Sequence, residues 1–256
     1  MHSLKNKLVF ITGASSGFGA AMARKFADEG ARLLLCARRN DRLQVLATDL
    51  KKKHGADVHA FELDVRSRTT VHHKLTELPQ QWQNISVLVN NAGLARGLST
   101  IQEGDIEDWE EMIDTNVKGL LYITRAVLPG MIARNEGHVI NIGSTAGHQL
   151  YPKGNVYCAT KHAVRALNEG MRLDVHGTNV RVTTVDPGLA ETEFSLVRFH
   201  GDADRAGLTY KGLQPLTADD IADTVVWCAT RPAHVNIQEV LMMPVAQASV
   251  TMVSRK

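Results

Sequence analysis

Lys7-Leu8-Val9-Phe10-Ile11-Thr12, followed at once by Gly13-Ala14-Ser15-Ser16-Gly17-Phe18-Gly19, decides how the chain is read. The apolar, β-branched run has strand length, and the stretch from Gly17 to Glu29 carries apolar residues at helical spacing. Glycines between a strand and a helix let the backbone turn sharply and approach a pyrophosphate, whose charge is met by N–H groups at the helix N-terminus. The GxxxGxG spacing at the first strand–helix junction favours that use over a plain turn.

The same alternation continues along the chain. Further strands are predicted at Ala31 to Cys36, Asp57 to Leu63, Ser86 to Asn90, His138 to Gly143, Arg181 to Val185 and Glu239 to Met243. Helices are predicted at Asp41 to His54, Ser67 to Trp82, Trp109 to Arg134, Val156 to His176 and Ala218 to Thr230. Gly30, Gly55 and Gly137 fall where helices should stop. Such alternation demands an α/β fold: a parallel, doubly wound sheet covered by helices on both faces. No repeat or linker divides residues 1–256, which are read as one domain. Leu189 to Pro215 resists assignment and follows the sixth strand, where ligands of open α/β sheets bind; it is read as a lid, or else as a surface loop.

Composition narrows the partners. A net charge of +2 with both signs interspersed argues against a polyanion-binding surface, so nucleic acid is not an expected partner. Lys51, Lys52 and Lys53 read as the solvated end of a helix. No apolar stretch reaches the ~20 residues that span a bilayer. The first residues, Met1 to Lys7, hold no long apolar core or small-residue cleavage site, which predicts a cytoplasmic protein. Cys36, Cys158 and Cys228 are widely separated and lack a ligand-like spacing; free thiols and no structural metal are expected.

Two constellations carry chemistry. The second strand ends on Cys36-Ala37-Arg38-Arg39, where an acidic residue would favour the ribose of NAD. Two guanidiniums suit a 2′-phosphate instead, with Ser15 as an extra donor, so NADP is favoured; the alternative is that they begin a solvated helix. The second constellation is Tyr157-Cys158-Ala159-Thr160-Lys161, with Ser144 upstream. Residues i and i+4 share a helix face, so an ammonium at Lys161 is expected to lower the pKa of the Tyr157 phenol. With four tyrosines and twelve lysines such a pair arises by chance in roughly one chain in five, so its company matters. Singly, a serine after a strand reads as a cap and a mid-helix tyrosine as packing.

Together these residues resemble the short-chain dehydrogenase/reductase family over almost the whole chain. The matching pieces are Thr12 to Gly19, Asp64-Val65, Asn90-Asn91-Ala92-Gly93, Asn116, Ser144, Tyr157 with Lys161, and Pro187-Gly188-Leu189-Ala190-Glu191-Thr192. The resemblance implies a Rossmann-like domain with a seven-stranded parallel sheet in the order 3-2-1-4-5-6-7, and a homotetramer or dimer. It implies that Gly13, Ser15, Ser16, Gly17, Phe18 and Gly19 cradle NADP(H), that Arg38 and Arg39 meet its phosphate, and that Asp64 and Val65 border the adenine. Asn91, Ala92 and Gly93 would lie along the ribose, and Pro187, Gly188 and Thr192 would hold the nicotinamide. Asp64 also reads as a helix cap, and Asn90 as a tie between strands. In the implied chemistry Tyr157 exchanges a proton with the substrate oxygen, Ser144 steadies that oxygen, Lys161 holds the nicotinamide ribose, and Asn116 relays protons through a water.

Fold does not choose the substrate. Asp186 to Phe199 and Met242 to Gln247 resemble the NADP-dependent 3-hydroxy acid dehydrogenases, which act on serine, allo-threonine and malonic semialdehyde. A small acid needs a carboxylate partner, and Arg198 is the candidate; an exposed arginine on a short helix is the alternative. His148 is read as a substrate contact or a surface residue. A reductase of ketones or 3-oxoacyl thioesters would use the same residues with a different lid. An inactive NADP-sensing protein is disfavoured because Ser144, Tyr157 and Lys161 are all present.

Overall fold

The computed structural model describes residues 3–256; Met1 and His2, at the start of the segment expected to lack a leader, lie outside the described residues. Seven parallel strands form one sheet in the order β3-β2-β1-β4-β5-β6-β7, as expected. They are β1 (Leu8–Thr12), β2 (Arg32–Ala37), β3 (Val58–Glu62), β4 (Ile85–Asn90), β5 (Gly137–Ile142), β6 (Val180–Pro187) and β7 (Glu239–Met242). The central strands are buried on both faces, which is why they read as continuous apolar runs.

Helices cover both faces. Val9 and Ile11 of β1 point toward α1 (Gly17–Asp28), α2 (Asn40–His54) and α9 (Ala218–Ala229), packing with Met22, Phe26, Leu43 and Val225. Leu8 and Phe10 point the other way, toward α3 (Arg68–Thr76), α5 (Leu120–Arg134) and α6 (Asn155–Asp174), with Val71, Ile123, Val127 and Val164. The period-two alternation of β1 therefore divides the core in two. Among the described residues, no helix is long and apolar enough to cross a membrane.

Three predicted elements differ. The helix expected over Ser67 to Trp82 ends at Thr76; Pro79 cannot continue it, and a short 3-10 turn, Gln80–Trp82, follows. The helix expected over Trp109 to Arg134 starts earlier, at α4 (Ile106–Ile113), where Asp105 accepts the Glu107 N–H. It is then interrupted by a π-helical turn, Asp114–Gly119, before α5 resumes. Gly137 does not stop a helix: Asn135 takes the left-handed position, and Gly137 begins β5 because Met131 packs where its Cβ would be. Gly55 does stop α2, and Lys51, Lys52 and Lys53 form that helix's exposed last turn.

The unassigned segment holds two short helices, α7 (Phe194–Arg198) and α8 (Ala203–Leu208). Its ends are tied at the base: Leu216 N–H donates to Leu189 O and Glu191 N–H to Leu216 O. Thr217 then opens α9 with a reciprocal cap, its hydroxyl accepting from Asp220 N–H while the Asp220 carboxylate accepts from Thr217 N–H. Removing that cap with Thr217→Ala is expected to cost about 1 kcal/mol in urea unfolding; a midpoint identical to wild type would contradict it.

Candidate active site

Strand order reverses direction between β1 and β4, and the crevice this leaves opens at the carboxyl ends of the strands. A cavity of about 780 Å³ occupies it, spanning from Arg38 and Arg39 at one end to Ser144, Tyr157 and Arg198 at the other. Every predicted site residue lines it except Gly19, Asn116 and Lys161, which stand behind its wall.

The glycine-rich turn is built by necessity. A side chain at Gly19 would overlap Gly13 O and crowd Asn91 Nδ2, and Gly13 and Gly17 hold φ of 66° and 51°. Asn91 fixes the neighbouring loop by donating to Thr12 O at 2.8 Å. Asn90 is a structural tie, donating to Thr124 and Asn141. At the far end Gln247 packs where a Gly188 Cβ would be and accepts the Leu189 N–H.

The expected phosphate end is electropositive but not idle. Arg39 donates to Ser16 Oγ and pairs with Glu193 at 3.0 Å, and Arg42 pairs with the same carboxylate at 2.8 Å. Ser16, not Ser15, is thus the serine beside the guanidinium. Arg38 joins Glu111, which also takes Arg66 and Arg96. Asp64 does not cap α3 with its side chain; it grips Arg66, while Ser67 caps. Burial pushes the Glu111 carboxyl up, but Arg96 and Arg38 outweigh it and hold the group below the usual carboxylate range.

The chemical end is assembled from β5 and α6. Ser144 follows β5 and caps the turn Thr145–Gly147 by accepting the Ala146 N–H at 3.0 Å. Tyr157 and Lys161 lie one turn apart on α6, 8% and 7% exposed. Lys161 Nζ donates to Ile142 O at 2.9 Å and lies 5.9 Å from the centre of the Tyr157 ring. Burial pulls its pKa down to about 8, opposed by Asp186.

Tyr157 departs from expectation. Burial pushes its pKa above the ordinary value, with Tyr151 adding to the shift, while Arg198 and the hydrogen bond with Ser144 oppose it. Arg198, 5.0 Å from the ring centre, is the nearer of two cations; the Lys161 ammonium, at 5.9 Å, is drawn back to a carbonyl.

Arg198 is half-buried among Tyr151, Tyr157 and Phe194, at 5.6, 5.0 and 5.5 Å from their ring centres, and donates to the Tyr151 hydroxyl. Its buried Nε–H has no hydrogen-bond partner among the described residues. Asn116 sits in the π-helical turn, donating to Leu94 O and Thr160 Oγ1 and accepting from Leu94 N–H. A Cβ on Gly93 would lie 3.3 Å from Asn116 Oδ1 and 3.6 Å from Lys161 Nζ, so glycine lets both approach one spot.

His148 turns away from the cavity and pairs with Asp186. The three cysteines are free and buried, and Cys158 joins the apolar wall beside Tyr157. Tyr151, Phe194 and Glu193 were missed from sequence; only Tyr151, an aromatic beside Pro152 in a short polar stretch, offered a signal.

The family model described as short chain dehydrogenase matches residues 7–201. A protein of Salmonella typhimurium named NADP-dependent 3-hydroxy acid dehydrogenase is 53% identical over 94% of this chain and 96% of its own. Sulfoacetaldehyde reductase 2 of Chromohalobacter salexigens is 46% identical over 94% of this chain and 95% of its own. A solved serine dehydrogenase, in its closed form complexed with NADP+, superposes with a TM-score of 0.91 at 49% identity, covering 97% of this chain and 99% of that one. The chain belongs to the short-chain dehydrogenase family.

The depressed Lys161 value has a consequence for the free protein. Between about pH 8 and 10.5 the folded chain binds less of this proton than the unfolded chain, so the group makes stability rise with pH there. An NMR titration following Lys161 is expected to show a midpoint near 8. A midpoint at the ordinary lysine value, about 10.4, would contradict the burial argument.

Proposed function

For this member of the short-chain dehydrogenases we propose an NADP-dependent oxidoreductase that interconverts the alcohol and carbonyl of a small anionic substrate, a 3-hydroxy acid of the serine or allo-threonine type. The observation that carries it is the half-buried guanidinium of Arg198, whose buried Nε–H has no partner among the described residues, beside the Tyr157 phenol. An unsatisfied buried donor of fixed charge calls for an anion, and a guanidinium grips a carboxylate in bidentate fashion.

The residues present fit the cofactor. The glycine turn admits no side chain at Gly19, and Arg38 and Arg39 offer cations at the end where a 2′-phosphate would lie. Gly13 to Gly19, Asn91 to Gly93, Asp64 with Val65, and Pro187, Gly188 and Thr192 would hold NADP(H). The cofactor supplies or accepts the hydride when bound.

The chain's own residues manage the proton. Tyr157, kept neutral by burial, gives its phenolic proton to the substrate oxygen in carbonyl reduction and takes it back in alcohol oxidation. Ser144 donates a hydrogen bond where negative charge develops on that oxygen. The phenolate left behind is stabilised by Lys161 and Arg198. Asn116 holds the backbone at Leu94 beside Lys161, and a water shared between Asn116 and Lys161 would return protons from solvent.

The sulfoacetaldehyde-reducing relative supports a second reading: the same guanidinium suits a sulfonate. A broad reductase of uncharged ketones fits less well, since it leaves the Arg198 Nε–H unmet.

Residues 1–256 form one domain in this proposal, with residues 189–215 as its lid. A cytoplasmic setting accords with free, buried cysteines. Homo-oligomerisation, as tetramer or dimer, accords with the exposed apolar Leu121, Ile132 and Leu173 on α5 and α6.

Tyr157→Phe is expected to lower kcat by at least about a thousandfold while NADPH binding, followed by cofactor fluorescence, is nearly unchanged; retained activity refutes the proton donor. Arg198→Ala is expected to raise KM for L-allo-threonine about tenfold or more, the loss of a charge-assisted hydrogen bond, and an unchanged KM removes Arg198 from the substrate site.

A further inference from the structure

The turn that carries Ser144 is fastened to β6 by a carboxylate that the proton path above does not use. Asp186, near the end of β6, is 1% exposed. Its Oδ1 accepts the Thr184 hydroxyl at 2.7 Å, and its Oδ2 lies 2.8 Å from His148 Nε2. The same Oδ1 fills the space over Gly143, where any Cβ would overlap it.

One side chain therefore grips the segment at both ends. Gly143 is pressed onto β6, its N–H donating to Val185 O at 2.8 Å, and His148 closes the far end. Between them Gly147 N–H donates to Ser144 O and His148 N–H to Thr145 O, so the position of Ser144 Oγ follows from the two anchors. Lys161 is held by the same piece of chain: Ile142 O accepts its ammonium, and Gly147 lies so close to the Lys161 carbonyl that a Cβ would be 2.8 Å from it.

We infer that Asp186 and His148 are positioning residues for the proposed reaction: together they fix the turn that presents Ser144, and the Asp186 carboxylate, set over Gly143 next to the Ile142 carbonyl that receives the Lys161 ammonium, is that ammonium's counter-charge. The inference rests on the function proposed above. A buried carboxylate is a costly way to fill space that an apolar side chain would fill as well, so its charge calls for a use. Burial draws Lys161 toward its neutral form, and Asp186 opposes that pull. The other charged groups facing the pair are Glu239, whose Oε1 is 3.9 Å from His148 Nδ1, and Arg165, whose Nε is 3.0 Å from Glu239 Oε2. These two pair with each other, and Asp186 also feels His148 and Glu239, which act on it in opposite senses.

The experiment compares kcat, KM and pH profiles of NADPH-linked carbonyl reduction in three variants. His148→Ala is expected to lower kcat on the order of tenfold with KM for NADPH held within about threefold; His148→Gln, whose amide still donates to Asp186, is expected to recover most of that loss. Asp186→Asn keeps size and hydrogen bonding but removes the charge. It is expected to move the alkaline limb of the rate profile about one unit toward lower pH, because Lys161 then loses its proton sooner. A pair that merely holds the fold leaves that limb in place. An unmoved limb in Asp186→Asn, a glutamine at 148 no better than alanine, or loss of NADPH binding in Asp186→Asn each overturns the inference. Failure of the underlying reading shows elsewhere, as turnover that survives Tyr157→Phe or is absent from the wild-type protein.

Discussion

The structure depends on one topological constraint, the reversal of strand order between β1 and β4. Right-handed crossovers on either side of that reversal carry the connecting helices to opposite faces, so the carboxyl ends of the central strands are left uncovered. The glycine turn after β1, the loop after β4 and the Ser144 turn after β5 converge on that gap. Residues 189–216, tied to each other at the base of the segment, bring Arg198 beside Tyr157. Glu193, on the same segment, pairs with Arg39 and Arg42 at the opposite end of the cavity.

Within the gap, burial and charge oppose each other. Burial keeps the Tyr157 phenol protonated and pulls Lys161 toward neutrality, two effects that the proposed proton donor and its cation would have to balance. The balance is set by groups on three different elements: Arg198 on α7, Ser144 after β5 and Asp186 on β6. None is adjacent to the tyrosine in sequence. A site of this kind is preorganised, because each charge is fixed by packing before a ligand arrives.

Much of this was legible in the sequence, for identifiable physical reasons. Strands buried on both faces announce themselves as apolar runs, and the glycine turn is recognisable because only glycine tolerates its backbone. Tyr157 and Lys161 were legible because helical spacing is a local rule. What was not legible depended on contacts across the fold. The π-helical turn at Asp114–Gly119 looks like ordinary helix in sequence, since Asn116 reaches Leu94 only in three dimensions. The effect of Arg198 on the phenol, and the withdrawal of Lys161 to Ile142 O, arise from depth in the structure. The pairing of His148 with Asp186 joins residues that no local pattern connects.

The most direct test of the account is steady-state oxidation of L-serine and L-allo-threonine with NADP compared with NAD. An Arg-lined end proposed for the phosphate and the half-buried guanidinium of Arg198 at the end proposed for substrate predict turnover of these acids with kcat/KM for NADP exceeding that for NAD by roughly a hundredfold, the scale of two charge-assisted contacts to one phosphate. Equal use of the two cofactors, or turnover of uncharged alcohols but not of the hydroxy acids, would contradict it.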